Sequence, residues 1–358
     1  MKIAIMGAGL SGLACAITLE QQGIAPVIFE KRSQVGDRFI NAEALLPLQE
    51  RPVQDSIAYL ADKHSIFLTP ISNITQLKFF APHHSAVVSG NLGFTNLRGR
   101  DYDSFESQLV RQVKSRIVFN SDFSYERLLQ DFNYVVLATG DAAYTAKLQT
   151  FHSDLTVSLT GATLEGKFTR NSVSIWLDND LAPQGYGFLI PYSEHEANLT
   201  LAYPDYPHNQ SQAQDALWEK FLARASENIG QDVKVSDRFS VSRYIIGTCA
   251  YPRIGNTFFV GNCFGSVMPA FGFGQFTSIL TGVYAAQDLC GMGNYSELTK
   301  PLHRSYANSL VLRRAMEKLN NSRLDLLVSF LRTNVAQNLL NSRRNPLKLL
   351  SYALRPLV

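Results

Sequence analysis

The run with the sharpest chemical meaning is Gly7-Ala8-Gly9-Leu10-Ser11-Gly12, a GxGxxG that follows the apolar segment Lys2–Met6 and opens a helical pattern. Glycines at that spacing do three things: Gly7 permits a tight turn, Gly9 lets backbone approach a pyrophosphate, and Gly12 lets helix and strand pack closely. A helix N-terminus at this point offers free N–H groups and a partial positive charge to phosphates. Glu30 ends the next apolar run, 18 residues past Gly12, where an acid bonds both ribose hydroxyls of an adenosine. The chemistry is dinucleotide binding, with FAD and NAD both open on these residues alone. Elsewhere the sequence shows no Ser/His/Asp arrangement, no carboxylate pair and no metal-ligand spacing, and Cys15, Cys249, Cys263 and Cys290 include no CxxC. His83-His84 in APHHSA reads as a surface loop rather than an acid/base pair. Cys263 reads as a small buried residue rather than a redox group.

The elements that must hold this motif follow from periodicity. Lys2–Met6 reads as a buried parallel strand, Leu10–Gln22 as a helix stopped by Gly23, and Pro26–Phe29 as the next strand, a βαβ start. Helices are expected over 55–63 and 103–116, the latter capped by Asp103 or Ser104. Tyr134–Ala138 and Thr257–Val260 have the texture of buried strands, and Thr277–Leu289 that of a helix. From about 151 to 245 the pattern alternates, as in an antiparallel sheet with one solvated face, interrupted by an amphipathic helix at Asp215–Ile229. Everything after Pro301 reads as helical.

The chain has 358 residues, 46% hydrophobic and 18% charged, enough for two domains and far from the composition of disorder. A net charge of +3 gives no reason to expect nucleic acid as a partner. The cysteine pattern suggests no disulfide framework, so a reducing cytoplasm is the expected location. The N-terminus mimics a signal peptide, but its glycines belong to the dinucleotide motif. Ile254–Gln287 runs 34 residues without a formal charge. Its glycines, proline and amides suit a buried cofactor contact better than a bilayer span.

The segment GAGLSGLACAITLEQQGIAPVIFEKRSQVGDR resembles the N-terminus of FAD-dependent enzymes that continue E-K-R after the second strand. YVVLATG, with Thr139 and Gly140, resembles the segment that returns beneath the adenosine. Phe259–Gly265 followed by Pro269–Gly274 resembles their second FAD motif, GDAxGxxxPxxGxG, with Asn262 where an Asp is usual. Together these resemble the geranylgeranyl-reductase-like flavoproteins, a branch of the p-hydroxybenzoate-hydroxylase fold. The resemblance implies an α/β chain: a Rossmann-like FAD-binding domain from 1–75, 96–150 and 246–300, an inserted antiparallel-sheet substrate domain from 76–95 and 151–245, and a basic helical region over 301–358. It implies non-covalent FAD on Gly7, Gly9, Ser11, Gly12, Glu30, Lys31, Arg38, Thr139, Gly140, Gly261, Asn262, Gly272, Gly274 and Gln275. Arg98 and Arg100 read equally as flavin contacts or loop charges, and Tyr186 and Phe188 as substrate-cavity aromatics or plain strand residues.

Flavin enzymes leave the redox step to the cofactor, which suits the missing acid/base groups. The first expectation is a reductase or dehydrogenase acting on an apolar, isoprenoid- or lipid-like carbon–carbon double bond. The second is a monooxygenase, for which ATGDAAYTA departs from the usual GADGxxS-type segment. The third is an electron-transfer flavoprotein with no enclosed substrate cavity. No second GxGxxG provides a separate NAD domain, so the electron donor stays open between NAD(P)H, a ferredoxin-type partner and a reduced flavin. Residues 301–358 hold ten Lys/Arg and two acids, a local +8 that leaves −5 for the rest. With their many leucines they read either as a peripheral contact with an anionic membrane surface or as helices packed on the FAD domain.

Overall fold

The computed structural model describes residues 1–209, 214–342 and 345–357. Its first sheet has six strands in the order Arg253–Ile254, Thr257–Phe259, Tyr134–Leu137, Ile3–Met6, Val27–Phe29, Ile117–Val118. Neighbours are parallel except in the outer hairpin Arg253–Ile254/Thr257–Phe259. Met6 is in register with both Phe29 and Leu137, and Leu137 with Phe259. Four strands therefore end level, and Gly7, Glu30, Ala138 and Val260 leave the sheet along one edge. The crevice outside such carboxyl ends is where open α/β sheets bind ligands.

Leu10–Gln21 is buried over ten of its residues, which is why it is apolar on every face instead of striped. It packs on Gln275–Leu289, and Gly282 makes that possible: a Cβ there would lie 2.0 Å from the Ser11 carbonyl oxygen.

The second sheet has eight strands, ordered Lys234–Cys249, Phe151–Glu165, Glu196–Pro204, Tyr186–Pro191, Ser172–Trp176, Ser72–Phe80, Ser85–Arg98, Asn41–Leu45. Its pairs are antiparallel except Ser72–Phe80 with Ser172–Trp176, which run parallel. Gln214–Ile229 covers part of it, burying Trp218 and Phe221 against Leu199 and Leu201.

Three details differ from the sequence reading. Asn41–Leu45, Ser72–Phe80 and Ser85–Arg98 all belong to the large sheet, so the sheets are not divided at residue 75. NAEAL has little strand propensity of its own and is held by pairing with Phe94–Arg98. The helix expected over 103–116 is only Phe105–Val110, capped by the Ser104 hydroxyl. Beyond it, the Glu20 carboxylate takes the N–H groups of Lys114 and Ser115. The C-terminal helices begin at Tyr295, before Pro301, with Asn294 as the cap. Arg343 and Arg344 of the basic region lie outside the described residues.

Candidate functional site

The three motif glycines have separate physical reasons. Gly7 has φ +118°, and a Cβ there would lie 2.3 Å from the Ala138 carbonyl oxygen. A Cβ on Gly12 would lie 2.1 Å from the Gly7 carbonyl oxygen. Both are needed by the turn and the helix–strand packing. Gly9 is extended (φ −85°, ψ −174°), and a Cβ there would meet no protein atom within 4 Å. It borders a cavity of about 400 Å³, within the range of small-molecule sites.

One part of that cavity is polar. Gly9 and Ser11 open Leu10–Gln21 onto it, and Gly274 and Gln275 open Gln275–Leu289 onto it. Two helix N-termini thus present unpaired N–H groups and positive partial charge to the same space. Gly140, where a Cβ would also meet nothing within 4 Å, faces it too. Four buried polar atoms on its lining have no hydrogen-bond partner: Arg38 Nε and Nη2, Asn41 Oδ1 and Gln275 Nε2. Buried polar atoms are nearly always paired in a native protein. These are therefore groups suited to a polar ligand, and with the open glycines they fit a dinucleotide.

Beside them lies a charge cluster built on the buried Glu106, with Arg38, Glu43 and Arg98 half-buried around it. Arg98 donates to Glu106 Oε1 at 2.9 Å and to Glu43 Oε2 at 3.2 Å. Arg38 stands 3.8 Å from Glu43 and 3.9 Å from Glu106. Burial, followed by the neighbouring Arg98, pulls the Arg38 guanidinium below its ordinary pKa. Burial pushes the Glu106 carboxyl up, but Arg98 and Arg38 outweigh it and hold the group below the usual carboxylate range. Both arginines line the cavity.

The other expected residues are placed as follows. The Glu30 carboxylate accepts the N–H groups of Ala8 at 2.8 Å and Arg32 at 2.9 Å, so it closes the glycine turn and keeps one further lone pair on each oxygen. Lys31 is exposed, and Arg100 is an exposed loop charge whose Nε donates to the Arg38 carbonyl. Neither Lys31 nor Arg100 lines the cavity. Thr139 Oγ1 lies 3.3 Å from Cys263 Sγ, behind the site, and burial pushes that thiol up. Gly261, at φ +61°, donates its N–H to Thr281 Oγ1, and a Cβ there would lie 2.6 Å from Ser11 Oγ. Asn262 lines the cavity, donating to Gly140 O and Tyr244 Oη and accepting from Ser266. His83 is on the surface, bonded to Asp325 at 2.9 Å.

Much of the remaining lining is apolar, with Val157, Leu159, Val241 and Ile246 joining Tyr186 and Phe188, though Thr200, Ser278 and the buried Arg313 also border it. Tyr186 donates its O–H to the Phe271 carbonyl at 2.5 Å next to Gly272, and burial raises its phenol pKa, so it stays neutral. Phe188 meets Phe273 edge-on at 5.8 Å, and Phe39 stacks on Phe239 at 4.1 Å. Sequence reasoning missed Asn41 and Glu43. Their spacing of two is the period that puts side chains on one strand face, but only once Asn41–Leu45 is known as a strand. Among the described residues, no group of three His, Cys, Asp or Glu is placed to hold a metal.

A family model described as an NAD(P)-binding Rossmann-like domain matches residues 5–54. A geranylgeranyl bacteriochlorophyll reductase-like structure from Thermoplasma acidophilum superposes with a TM-score of 0.73 at 15% identity, covering 98% of this chain and 95% of that one. The fold is the p-hydroxybenzoate-hydroxylase type. A flavoprotein/dehydrogenase from Cytophaga hutchinsonii has the same fold (TM-score 0.66, 13% identity, 99% of each chain). So does the flavin-dependent halogenase CmlS (TM-score 0.65, 13% identity, 99% of this chain and 76% of that one). No curated protein matches the sequence.

Proposed function

We propose that the protein is an FAD-dependent oxidoreductase that reduces a carbon–carbon double bond in an apolar, isoprenoid- or lipid-like substrate. The observation that carries this reading is the two-part cavity. Its polar part has two helix N-termini, open glycines and buried polar atoms without a hydrogen-bond partner, and its other part is mainly aliphatic and aromatic, with Thr200 and Arg313 at its border. Gly9 and Gly140 would admit the pyrophosphate-bearing backbone of FAD, with Gln275 and Arg38 supplying donors. FAD, once reduced by an electron donor, would supply the hydride. The aliphatic and aromatic lining excludes water and orients an apolar chain, while the buried Tyr186 phenol keeps its proton on the Phe271 carbonyl. The other carbon of the double bond takes a proton, from solvent or from a side chain. The apolar lining also argues against a pure electron carrier, which needs no substrate cavity.

Hydroxylation is the second reading, because a flavin-dependent monooxygenase in complex with FAD and substrate shares the fold with a TM-score of 0.58. Thr139-Gly140-Asp141 departs from the segment such enzymes carry and favours reduction. The deciding experiment reduces the flavin-loaded protein with dithionite without air and adds a polyprenyl alcohol. The expected product is heavier by two hydrogens. Oxygen-dependent incorporation of an oxygen atom, with no anaerobic product, would establish the second reading. Dithionite keeps the choice of natural donor, NAD(P)H or another, out of the result.

A further inference from the structure

Three helices end the chain: Asn321–Leu331, Asn334–Asn341 and Pro346–Leu354. Their inward sides are accounted for. Leu324 and Val328 pack with Ala86 and Leu177, Leu331 and Leu340 pack against the cluster of Ile74 and Val88, and Pro346 and Ser351 are buried. Their outward sides are not those of solvated helices. Leu326 is 70% exposed, Val335 68% and Leu349 56%, with Phe330, Leu350 and Tyr352 exposed as well. Of the 18 large hydrophobic side chains exposed among the described residues, eight fall between 326 and 352. From 318 to 355 every exposed charged side chain described is a cation: Lys318, Arg323, Arg332, Lys348 and Arg355. The acid in that span, Asp325, is buried and bonded to His83.

We propose that this helical layer docks on an anionic lipid bilayer, its leucines and aromatics entering the headgroup–acyl boundary and its cations meeting lipid phosphates. Charge selects this occupant. Two copies meeting through these helices would bring cations toward cations, since among the described residues 318–355 no acid is exposed, and like-charge contacts disfavour such an interface. Among the described residues no helix is long and apolar enough to cross a membrane, so the contact is with the surface. The proposal does not depend on the reading of the cavity.

The test is co-sedimentation of the full chain with vesicles of phosphatidylcholine mixed equally with phosphatidylglycerol, against phosphatidylcholine alone. The full chain should pellet with the anionic vesicles at low salt and be released by high salt. Each cation near such a surface contributes a factor of about five, so Arg323→Gln with Arg332→Gln lowers partitioning about 25-fold. Leu326→Ser with Leu349→Ser and Leu350→Ser should weaken binding with little change in melting temperature, since about half or more of each side chain faces solvent. The idea is overturned if the intact chain stays in the supernatant at low salt, or if it binds both vesicles equally and ignores the arginine changes. It is also overturned if the serine variant turns a dimer into a monomer in sedimentation equilibrium while vesicles capture neither form.

Discussion

Gly9 and Gly12 stand three residues apart in one motif, yet the structure assigns them opposite consequences when replaced. Gly9 is the N-cap of Leu10–Gln21, without a side-chain capping bond and with open space where a Cβ would go. Valine there loses up to about 1 kcal/mol of capping preference and regains about 0.4–1 kcal/mol by restricting the unfolded chain. At about 2.1 cal/mol/K per residue, a chain of 358 residues has an unfolding entropy near 0.75 kcal/mol/K. The apoprotein of Gly9→Val should therefore melt within about 1 °C of wild type. FAD at a hundred times its Kd adds about 2.7 kcal/mol to the native state, a rise of about 3.6 °C in Tm. A hundredfold loss of affinity at the same concentration leaves about 0.4 kcal/mol, or about 0.5 °C. Gly12→Ala places its Cβ 2.1 Å from a backbone oxygen that cannot swing aside. Overpacking of that kind costs about 1–3 kcal/mol or more, so its apoprotein should melt about 1–4 °C lower. Scanning calorimetry with and without FAD separates the two effects. If Gly9→Val keeps the full FAD-induced rise, no pyrophosphate passes over Gly9. Equal apoprotein losses in both variants would refute the steric reasoning.

Arg98→Met leaves the buried Glu106 and the half-buried Glu43 without their closest cation. Denaturant titration should show a loss of about 3–5 kcal/mol, partly recovered by adding Glu106→Gln. Because the folded state holds the Glu106 carboxyl below its ordinary range, its contribution is full above the unfolded value of about 4.3 and is lost as pH falls through the folded one. The difference in Tm between wild type and Glu106→Gln should therefore shrink on acidification; a difference that widens would reverse the sign. Tyr186→Phe strands the Phe271 carbonyl and should cost about 1–3 kcal/mol, read from the urea midpoint at unchanged m-value.

The parallel half of the fold was legible in the sequence because continuous apolar runs and glycines both report burial. Ile3–Met6, Leu10–Gln21 and Tyr134–Leu137 stand within a residue of their expected bounds. The large sheet was half legible: alternation marked Tyr186–Pro191 and Glu196–Pro204, while Asn41–Leu45 gave no signal because its partner supplies its stability. In the site, Gly9 and Gln275 face the cavity, whereas Lys31 and Arg100 do not. Motif position fixes where backbone goes, but a long exposed side chain settles by local hydrogen bonds. Asn41 and Glu43 were illegible for the same reason as their strand.

The order of strands also constrains synthesis. Tyr134–Leu137 sits between Ile3–Met6 and Thr257–Phe259, while the large sheet is complete by Cys249. A growing chain therefore carries all eight strands of the large sheet before the last strands of the parallel sheet leave the ribosome. Until Gln275–Leu289 emerges, the helix behind Gly9 lacks the neighbour that Gly282 seats against Ser11, and its apolar surface stays uncovered. A chain truncated after residue 250 and released should thus be protease-resistant in the large sheet and bound by chaperones at the N-terminal helix. Cofactor capture then belongs to the end of translation, since long-range parallel pairing of this kind closes late.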